Sequence, residues 1–430
     1  MKQQDIKIAV IGLGYVGMPL AVEFSKKYNV LGFDINSNRV AELSQAKDHT
    51  LEVDESVLAE ALNRGKTSEI GLSFSADKAD LNDRNIYIVT VPTPIDQFNN
   101  PDLSPLLKAS QTVAMALSKG NIVIYESTVY PGCTEEDCVP VLESFSGLKY
   151  NTDFFCGYSP ERINPGDKVN TLTKIRKVTS GSTPEVAKFV DDLYASILEV
   201  ETFKAASIKV AEASKAIENA QRDVNISFMN ELALIFDKIG IDTNDVIDAA
   251  GSKWNFLKYR PGLVGGHCIG VDPYYLVHKA KAVGYHPEVI SSGRRVNNSI
   301  AEHIASKVLK LMIQNESKIK GAKILLMGIT FKENCPDIRN TKVVDIYREL
   351  KEFGVEVDVY DPWAEASEVK REYGIDILSN VEQEKDYQAI ILAVAHEEFK
   401  NFDFKKYKQR NAIIYDVKNV IDRSLVDGRL

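Results

Sequence analysis

Cys268 lies in the segment PGLVGGHCIGVDPYY, residues 261–275, which contains four glycines. Glycine leaves the backbone without side chains, so another molecule can approach such a segment closely. A thiol in this position can serve as a nucleophile, as a metal ligand or as an ordinary buried side chain. Asp272 follows four residues later, about one helical turn along the chain. The other candidate residues are needed to distinguish between these three roles.

Lys215, Asn219 and Asp223 recur at four-residue intervals in a stretch without proline. This spacing puts them on one face of a predicted helix. If that face lines a cleft, the Lys215 ammonium and the Asn219 amide can reach the same ligand oxygen. From spacing alone, a solvated helix face is the commoner interpretation, so the site hypothesis needs a second signal.

The segment GLGYVG, residues 12–17, supplies that signal. It follows the apolar run IKIAVIG, opens a helical pattern and is followed by a second strand pattern that ends at Asp34. In dinucleotide-binding folds such glycines let the backbone approach a pyrophosphate, and an acidic residue about 20 positions on binds the ribose diol. The predicted dinucleotide-binding residues are Gly12, Leu13, Gly14, Tyr15, Val16, Gly17 and Asp34.

The identity of the dinucleotide follows from charge. A carboxylate at Asp34 repels a 2′-phosphate, so NAD is favoured over NADP. Arg39, five residues on, is the opposite signal, and we assign it to contact with the adenosine. The loops VPTP and EST follow two later strands at the same sheet edge, so Thr93, Ser127 and Thr128 are candidates for cofactor or substrate contact. Each hydroxyl taken alone is almost as typical of an ordinary turn.

Length and composition set the class of protein that these residues serve. The chain has 430 residues, 44% of them apolar, and a formal net charge of −9, which disfavours nucleic acid and anionic membranes as partners. No apolar run is long enough to span a membrane, and the first residues lack a signal-peptide pattern. We expect a cytoplasmic protein. Its five cysteines are scattered, which favours reduced thiols over disulfides.

Two groups of apolar runs separated by helical patterns predict two doubly wound α/β domains. A stretch at 206–240 reads as one long helix and a second helical stretch covers about 291–315. We therefore predict three regions: a Rossmann domain at 1–202, a helical dimerisation and active-site region at 203–314, and a Rossmann-like nucleotide-sugar domain at 315–430.

The chain resembles the UDP-glucose/GDP-mannose dehydrogenase family, the nucleotide-sugar 6-dehydrogenases. The resemblance runs nearly from end to end and consists of motifs in the family's order: GLGYVG, VPTP, EST, SPERINPG, KAIEN, GGHCIGVDP and GITFKENCPDIRNT. It implies an NAD-binding Rossmann domain, a helical dimerisation region, a C-terminal domain that binds the nucleotide, and a homodimer or larger homo-oligomer.

The resemblance also implies roles for particular residues. Cys268 would be the nucleophile, Lys215 and Asn219 would surround the oxygen at sugar C6, and Asp272 would support the thiol and the lysine. Glu161 would act in acid–base chemistry while Thr128 positions water. Further residues implied to contact the substrate are Arg162, Phe256, Leu257, Tyr259, Arg260, Gly265 and Lys332. Arg339 would reach the cofactor, and Arg295 would enter a neighbouring subunit's site.

The sequence departs from the UDP-glucose and GDP-mannose branches at two positions. Those branches usually carry Ser before the cysteine and Lys before the aspartate, where this chain has His267 and Val271. The surrounding motifs are similar to the UDP-N-acetylglucosamine and UDP-N-acetylgalactosamine 6-dehydrogenases of bacterial surface-polysaccharide synthesis. We therefore expect a UDP-N-acetylhexosamine as substrate, with UDP-glucose and UDP-N-acetylmannosamine as alternatives.

Oxidation of an alcohol to a carboxylate explains why such an enzyme needs a cysteine. The first hydride leaves C6 as the hydroxyl proton passes to a base, which gives an aldehyde. A thiolate adds to the aldehyde, and the thiohemiacetal loses a second hydride to give a thioester that water hydrolyses. Two NAD are consumed for each sugar, and Lys215 and Asn219 would stabilise the negative oxygen in each step.

Two other functions fit parts of the sequence. In a zinc alcohol dehydrogenase His267, Cys268 and Asp272 would be ligands, but adjacent residues need not converge on one ion, and we predict no metal. A non-enzymatic NAD-binding regulator would explain the glycine segment and Asp34 but would leave Cys268 without a role. NADH formation that depends on substrate separates an enzyme from a regulator.

Overall fold

The computed structural model describes residues 5–163, 169–266, 268–381 and 385–430. Packing divides the chain into two compact units, Met1–Glu218 with Tyr274–Tyr285, and Asn219–Pro273 with His286–Leu430. Each unit contains one sheet. Among the described residues, no helix is both long and apolar enough to cross a membrane.

The first unit is built on an eight-stranded sheet in the order β3-β2-β1-β4-β5-β6-β7-β8. All neighbouring strands are parallel except β6 and β7, which are antiparallel. The strands are β1 Lys7–Ile11, β2 Asn29–Phe33, β3 Gly71–Ser75, β4 Ile86–Val89, β5 Ile122–Tyr125, β6 Phe155–Tyr158, β7 Val178–Gly181 and β8 Phe203–Lys204. Strands β4 and β5 are buried along their whole length, as continuous apolar runs covered on both faces should be.

Helices lie between the strands of the first sheet. They are α1 Gly17–Ser25, α2 Ser37–Ser44, α3 Glu55–Thr67, α4 Ser104–Ala116, α5 Val139–Ser146 and α6 Pro184–Ala195, with short turns at Lys78–Leu81, Thr134–Cys138 and Leu172–Lys174. The strand order reverses at β1, between β2 and β4, and the loops after β1 and β4 therefore flank the crevice where ligands of such sheets bind.

The second unit is built on a six-stranded parallel sheet in the order β11-β10-β9-β12-β13-β14. Its strands are β9 Lys323–Met327, β10 Glu356–Tyr360, β11 Ile377–Leu378, β12 Ala389–Leu392, β13 Ile413–Asp416 and β14 Gly428–Arg429. The remaining helices of the chain are α7 Ile208–Ile239, α8 Thr243–Ala250, α9 Asp272–Ala282, α10 Glu288–Gln314, α11 Val343–Glu352, α12 Ala366–Tyr373 and α13 Phe404–Gln409, with a short turn at Glu397–Asn401.

The predicted fold class is confirmed: two parallel-sheet α/β domains accompany a helical middle region. The long helix expected at 206–240 is α7, and the stretch expected at about 291–315 is α10, which begins three residues earlier at Glu288. The sequence patterns did not reveal β3 or β7, whose sequences GLSFS and VTSG are rich in glycine and hydroxyl side chains. The three proposed domain boundaries stay predictions.

The turn after β1 depends on two glycines. Gly12 has φ +95°, a backbone conformation that residues with a Cβ rarely adopt. A Cβ on Gly17 would lie 1.9 Å from the Gly12 carbonyl oxygen, so α1 begins in contact with the turn. A Cβ on Gly14 would meet no atom within 4 Å. The loop is therefore tight on its inner side and open at Gly14.

The first turn of the second sheet repeats this arrangement. Gly328, after β9, has φ +88° and donates its N–H to the Tyr360 carbonyl at 2.8 Å, as Gly12 donates to the Phe33 carbonyl at 2.8 Å. Asp361 follows β10 as Asp34 follows β2. The two oxygens of Asp361 accept four backbone N–H groups, those of Ile329, Thr330, Trp363 and Ala364.

We expect Gly17→Ala to destabilise the protein and Gly14→Ala to leave its stability nearly unchanged. The methyl group at position 17 collides with backbone that cannot move away, and such overpacking costs about 1–3 kcal/mol. At position 14 the methyl group enters open space. Thermal unfolding of both variants beside the wild type checks this, and equal melting temperatures would show that the turn yields.

Candidate functional site

Asp34, the residue predicted to bind the ribose, holds the glycine turn in place. One carboxylate oxygen accepts the N–H of Leu13 at 2.9 Å, and the other accepts the N–H of Asn36 at 2.8 Å. These bonds fix the carboxylate while its remaining acceptor positions can meet a diol. The open space at Gly14 and the orientation of the carboxylate fit a bound dinucleotide.

Arg39 is buried beneath the glycine turn. Its Nε donates to the Leu13 carbonyl at 3.0 Å, and its guanidinium lies 2.7 Å from Asp48. The Asp48 carboxyl is desolvated, but hydrogen bonds from Thr50 and Arg39 outweigh burial and lower its pKa. Arg39 therefore supports the turn from inside the domain, and its contact with adenosine stays a prediction.

The loops after β4 and β5 are joined by their hydroxyl groups. Thr93 donates to the Thr128 carbonyl at 2.7 Å, and Ser127 donates to the Val91 carbonyl at 2.6 Å. Thr90 donates to the Gly12 carbonyl at 2.7 Å and so links the β4 end to the glycine turn. The three loops predicted to face the ligands are thus held together at one sheet edge.

Glu161 lies in the loop after β6 and is buried. One oxygen, Oε1, accepts the N–H groups of Arg162 at 2.5 Å and of Ile163. Beside it lie Glu126 and Lys177, which the sequence patterns did not single out. A charged residue that directly follows the apolar run NIVIY is the signal that could have indicated Glu126.

Helix α7 contributes both Lys215 and Glu212. Lys215 is buried, and Glu212 accepts the backbone N–H groups of Gly132 at 2.5 Å and Thr134 at 2.9 Å. Burial raises the pKa of the Glu212 carboxyl to about 7, while these hydrogen bonds oppose the rise. Glu212 therefore fixes the segment that follows Thr128 to the helix that carries Lys215.

In the second unit, the cysteine segment leads directly into α9. The Cys268 side chain is exposed, and its carbonyl accepts the N–H groups of Val271 at 3.1 Å and Asp272 at 2.8 Å. Asp272 is buried and accepts the Asn219 side-chain amide at 2.5 Å. The structure therefore brings Asn219 and Asp272 together, one turn after Cys268. Val271 is buried, and His267 lies outside the described residues.

A buried polar network fixes the start of this segment. The Asn230 side chain both donates to the Gly262 carbonyl at 3.0 Å and accepts its N–H at 2.8 Å. The same amide donates to Asn297 at 2.7 Å, and Asn297 donates to Asp223, which is paired with Arg294 at 2.6 Å. Asp223 thus points into protein rather than toward a cleft, and Asn230 is a supporting residue that the spacing did not reveal.

The cysteine segment also packs on the loop after β9. A Cβ on Gly265 would lie 2.5 Å from the Asn340 carbonyl oxygen, and one on Gly266 would lie 2.8 Å from the Phe331 ring. Lys332 and Arg339 belong to this loop, so these predicted ligand residues share a region with Gly265. Arg339 is partly exposed and forms a salt bridge of 2.7 Å with Asp337.

The other predicted substrate residues lie in separate places. In the segment before Gly262, Leu257 is exposed while Phe256 and Tyr259 are half-buried. Arg260 donates to the Asn244 side chain at 2.9 Å and pairs with Asp248. Arg295 is exposed on α10, whereas Arg162 pairs with Glu218 in the first unit. Their roles stay predictions.

Within the part of the chain that the structure describes, there is no group of three or more His, Cys, Asp or Glu side chains that could hold a metal ion. His267, a ligand in the zinc hypothesis, is outside those parts. Cys133 and Cys138 are buried free thiols.

Comparison with known proteins identifies the family. Three domains of the UDP-glucose/GDP-mannose dehydrogenase family match the chain: the NAD binding domain over residues 6–198, the central domain over 209–299 and the UDP binding domain over 325–423. The chain belongs to this family. It is an NAD-dependent nucleotide-sugar dehydrogenase, and its first unit contains the NAD binding domain.

Individual relatives of this dehydrogenase are similar over their whole length. The UDP-N-acetyl-D-glucosamine 6-dehydrogenase of Pseudomonas aeruginosa is 58% identical, with 99% of this chain and 100% of the relative covered. The enzyme of the same name from Salmonella typhi is 52% identical, with 99% of each covered. A solved UDP-D-ManNAc dehydrogenase from Pyrococcus horikoshii has TM-score 0.88 and 30% identity, and covers 99% of this chain and 98% of its own.

We expect Asp34→Asn to narrow the preference of this dehydrogenase for NAD over NADP. The substitution keeps an oxygen that can accept the Leu13 N–H. It removes the negative charge, which in the wild type repels a 2′-phosphate and strengthens the hydrogen bond to the diol. The ratio of kcat/KM with NAD to kcat/KM with NADP should fall about tenfold or more, which corresponds to the free energy of one charge-assisted hydrogen bond. Asp34→Ala, which also loses the Leu13 bond, should weaken both cofactors further. Equal wild-type turnover with NAD and NADP would contradict the assignment.

Proposed function

We propose that the enzyme oxidises the C6 hydroxyl of a UDP-N-acetylhexosamine, UDP-N-acetylglucosamine or its galacto isomer, to the uronic acid. The observation that carries the proposal is the exposed Cys268 thiol one turn before Asp272, whose carboxylate accepts the Asn219 amide. The identity of 58% to a UDP-N-acetyl-D-glucosamine 6-dehydrogenase supports the choice of sugar. The product would supply bacterial surface-polysaccharide synthesis.

The protein side chains divide the work of the reaction. NAD, when bound, accepts the hydride of each oxidation. The Cys268 thiolate adds to the aldehyde carbon, and the Asn219 amide stabilises the negative oxygen that forms on that carbon. The Asp272 carboxylate fixes the amide at 2.5 Å, so the donor is oriented before the charge develops. Lys215, four residues before Asn219 on α7, supplies a positive charge for the same oxygen.

Hydrolysis of the thioester completes the reaction. Thr128 would hold the water molecule, and Glu161 would take its proton as the oxygen attacks the thioester carbon. The carbonyl then reforms, the bond to sulfur breaks, and the Cys268 thiolate leaves. The Glu161 carboxylate is held by two backbone N–H groups through Oε1, which leaves Oε2 to accept the proton.

The residue at position 271 bears on the choice of sugar. Where other branches carry a long charged lysine, this chain has the short apolar Val271, which is buried. Loss of a charge and of side-chain volume beside Asp272 fits a pocket that accepts a 2-acetamido group. UDP-N-acetylmannosamine, named for the solved relative from Pyrococcus horikoshii, is the second candidate.

A panel of nucleotide sugars tests the proposal. UDP-N-acetylglucosamine or UDP-N-acetylgalactosamine should give the highest kcat/KM for NADH formation, at least about tenfold above UDP-glucose, with two NADH per sugar. UDP-N-acetylmannosamine and GDP-mannose complete the panel. A clear preference for UDP-glucose would overturn the choice of sugar.

Two cysteine variants complete this experiment. Cys268→Ala should still bind NAD and sugar but form at most a slow single equivalent of NADH, because the second oxidation needs the thiol adduct. Cys138→Ala removes a buried thiol and serves as the control that keeps turnover. Sustained formation of two equivalents by Cys268→Ala would show that Cys268 is not the nucleophile.

The enzyme should also self-associate in the cytoplasm, through α7. Val210, Ile217, Phe228, Ile235 and Ile239 share one stripe of this helix, since their spacings are close to whole helical turns. Their exposed fractions lie between 47% and 61%, unusually high for large apolar side chains. A second copy of the chain presents the same stripe, so a symmetric pair would cover both stripes at once.

We therefore expect light scattering to give at least twice the mass of one chain, and Phe228→Glu to lower it. A charge in the centre of a buried apolar stripe is strongly unfavourable. Lys238→Glu, an exposed position about 80° around the same helix, is the control and should leave the mass unchanged. A wild-type protein that runs as a single chain would exclude the pairing.

A further inference from the structure

A buried cluster of charges lies behind Glu161 in the first unit. Glu126 follows β5, Lys177 precedes β7, and Tyr194 lies on α6. Lys177 is 1% exposed, and neither Glu126 nor Tyr194 is exposed at all. Burial of two carboxylates and one ammonium is costly unless the charges compensate one another, so their arrangement needs an explanation beyond packing.

Lys177 lies between the two carboxylates. Its Nζ is 2.6 Å from Glu126 Oε2 and 3.9 Å from Glu161 Oε2. The Tyr194 hydroxyl donates to the other Glu126 oxygen at 2.5 Å, and the ammonium lies 5.1 Å from the centre of the Tyr194 ring. Glu126 and Tyr194 therefore fix the ammonium in front of Glu161.

The two oxygens of Glu161 have different surroundings. Oε1 accepts two backbone N–H groups, whereas Oε2 is buried without a hydrogen-bond partner among the described residues. The ammonium of Lys177 is the positive group that faces Oε2, at a distance too long for a direct hydrogen bond. This oxygen thus faces a positive charge and has lone pairs that no described hydrogen bond occupies.

We propose that Lys177 is a positioning residue whose ammonium charge acts on the proton-accepting oxygen of Glu161 in thioester hydrolysis, and that Glu126 and Tyr194 hold Lys177 for this purpose. The inference rests on the proposed function, in which Glu161 accepts the proton of the attacking water. Burial raises the pKa of the Glu126 carboxyl to about 7, with Lys177 opposing and Glu161 adding to the rise. Glu126 can therefore lose its charge near neutral pH while Lys177 remains to face Glu161.

The charge of Lys177 has a measurable consequence. When a buried carboxylate loses a neighbouring cation, its pKa rises, typically by about one unit or more. In Lys177→Met the acid limb of kcat should therefore move to higher pH by about one unit or more. At low pH the variant should accumulate the sugar thioester on Cys268, visible as added mass in the acid-quenched protein.

Three further variants separate charge from packing. Lys177→Arg keeps the positive charge and should keep the wild-type acid limb. Glu126→Gln keeps a side-chain oxygen that can accept from the Lys177 ammonium and hold it in front of Glu161, so the acid limb of kcat should not move to higher pH. In the double variant Glu126→Gln/Lys177→Met, no unpaired Glu126 charge remains that could prevent folding. The acid limb of its kcat should still move to higher pH, as in Lys177→Met. Lys188→Met, which removes an exposed ion pair on the same helix as Tyr194, is the matched control.

The outcomes distinguish this inference from the proposed function. If the wild type forms no NADH from any UDP-sugar, the proposed function itself is wrong. In a second outcome, the wild type forms NADH from a UDP-sugar while Lys177→Met and the double variant show the same acid limb of kcat as the wild type. That result overturns the inference alone. A rise in Glu126→Gln as large as in Lys177→Met would also overturn it, because integrity of the cluster rather than the lysine charge would then control the rate.

Discussion

A charge that leaves water loses its hydration, and in a protein interior only a nearby opposite charge or several hydrogen bonds can replace it. Three of the buried ion pairs described above follow this constraint. Lys177 lies against Glu126, Arg39 against Asp48, and Arg294 against Asp223. The Glu212 carboxylate, which is also buried, accepts two backbone N–H groups instead. The Lys177–Glu126 and Arg294–Asp223 pairs join residues 51 and 71 positions apart, so satisfying these charges also fixes distant segments to each other.

Such fixed loops have a chemical use. Oxyanion stabilisation is effective when donors are oriented before the negative charge forms, because no further reorganisation is then needed. In the proposed mechanism, Asp272 orients the Asn219 amide in this way, and Asp34 fixes the glycine turn through the N–H of Leu13. Cys268 differs, since its thiol is exposed while its backbone carbonyl accepts the N–H of Asp272, the first residue of α9. For the nucleophile that we propose, a fixed backbone and an accessible thiol are both needed.

The sequence predicted the parts of the molecule that depend on local pattern. Continuous apolar runs revealed the central strands, and the glycines revealed the turn because only local geometry is involved. Strand β7 was missed, since VTSG gains its place from pairing with β6 rather than from apolar content. Lys177 was missed for a similar reason: its partner Glu126 is 51 residues away, and no spacing rule connects them. The catalytic roles came from family resemblance and not from the pattern of residues.

The aspartates after the second strand of each sheet show how one architecture can serve two purposes. Asp361 accepts four backbone N–H groups, which fill the acceptor positions of a carboxylate, whereas Asp34 accepts those of Leu13 and Asn36. The second sheet thus has the strand order and the left-handed glycine of a dinucleotide site without a carboxylate that could still recognise a ribose diol. The same turn is therefore held in two ways, with the carboxylate spent entirely on the backbone in the second half and left with open acceptor positions in the first.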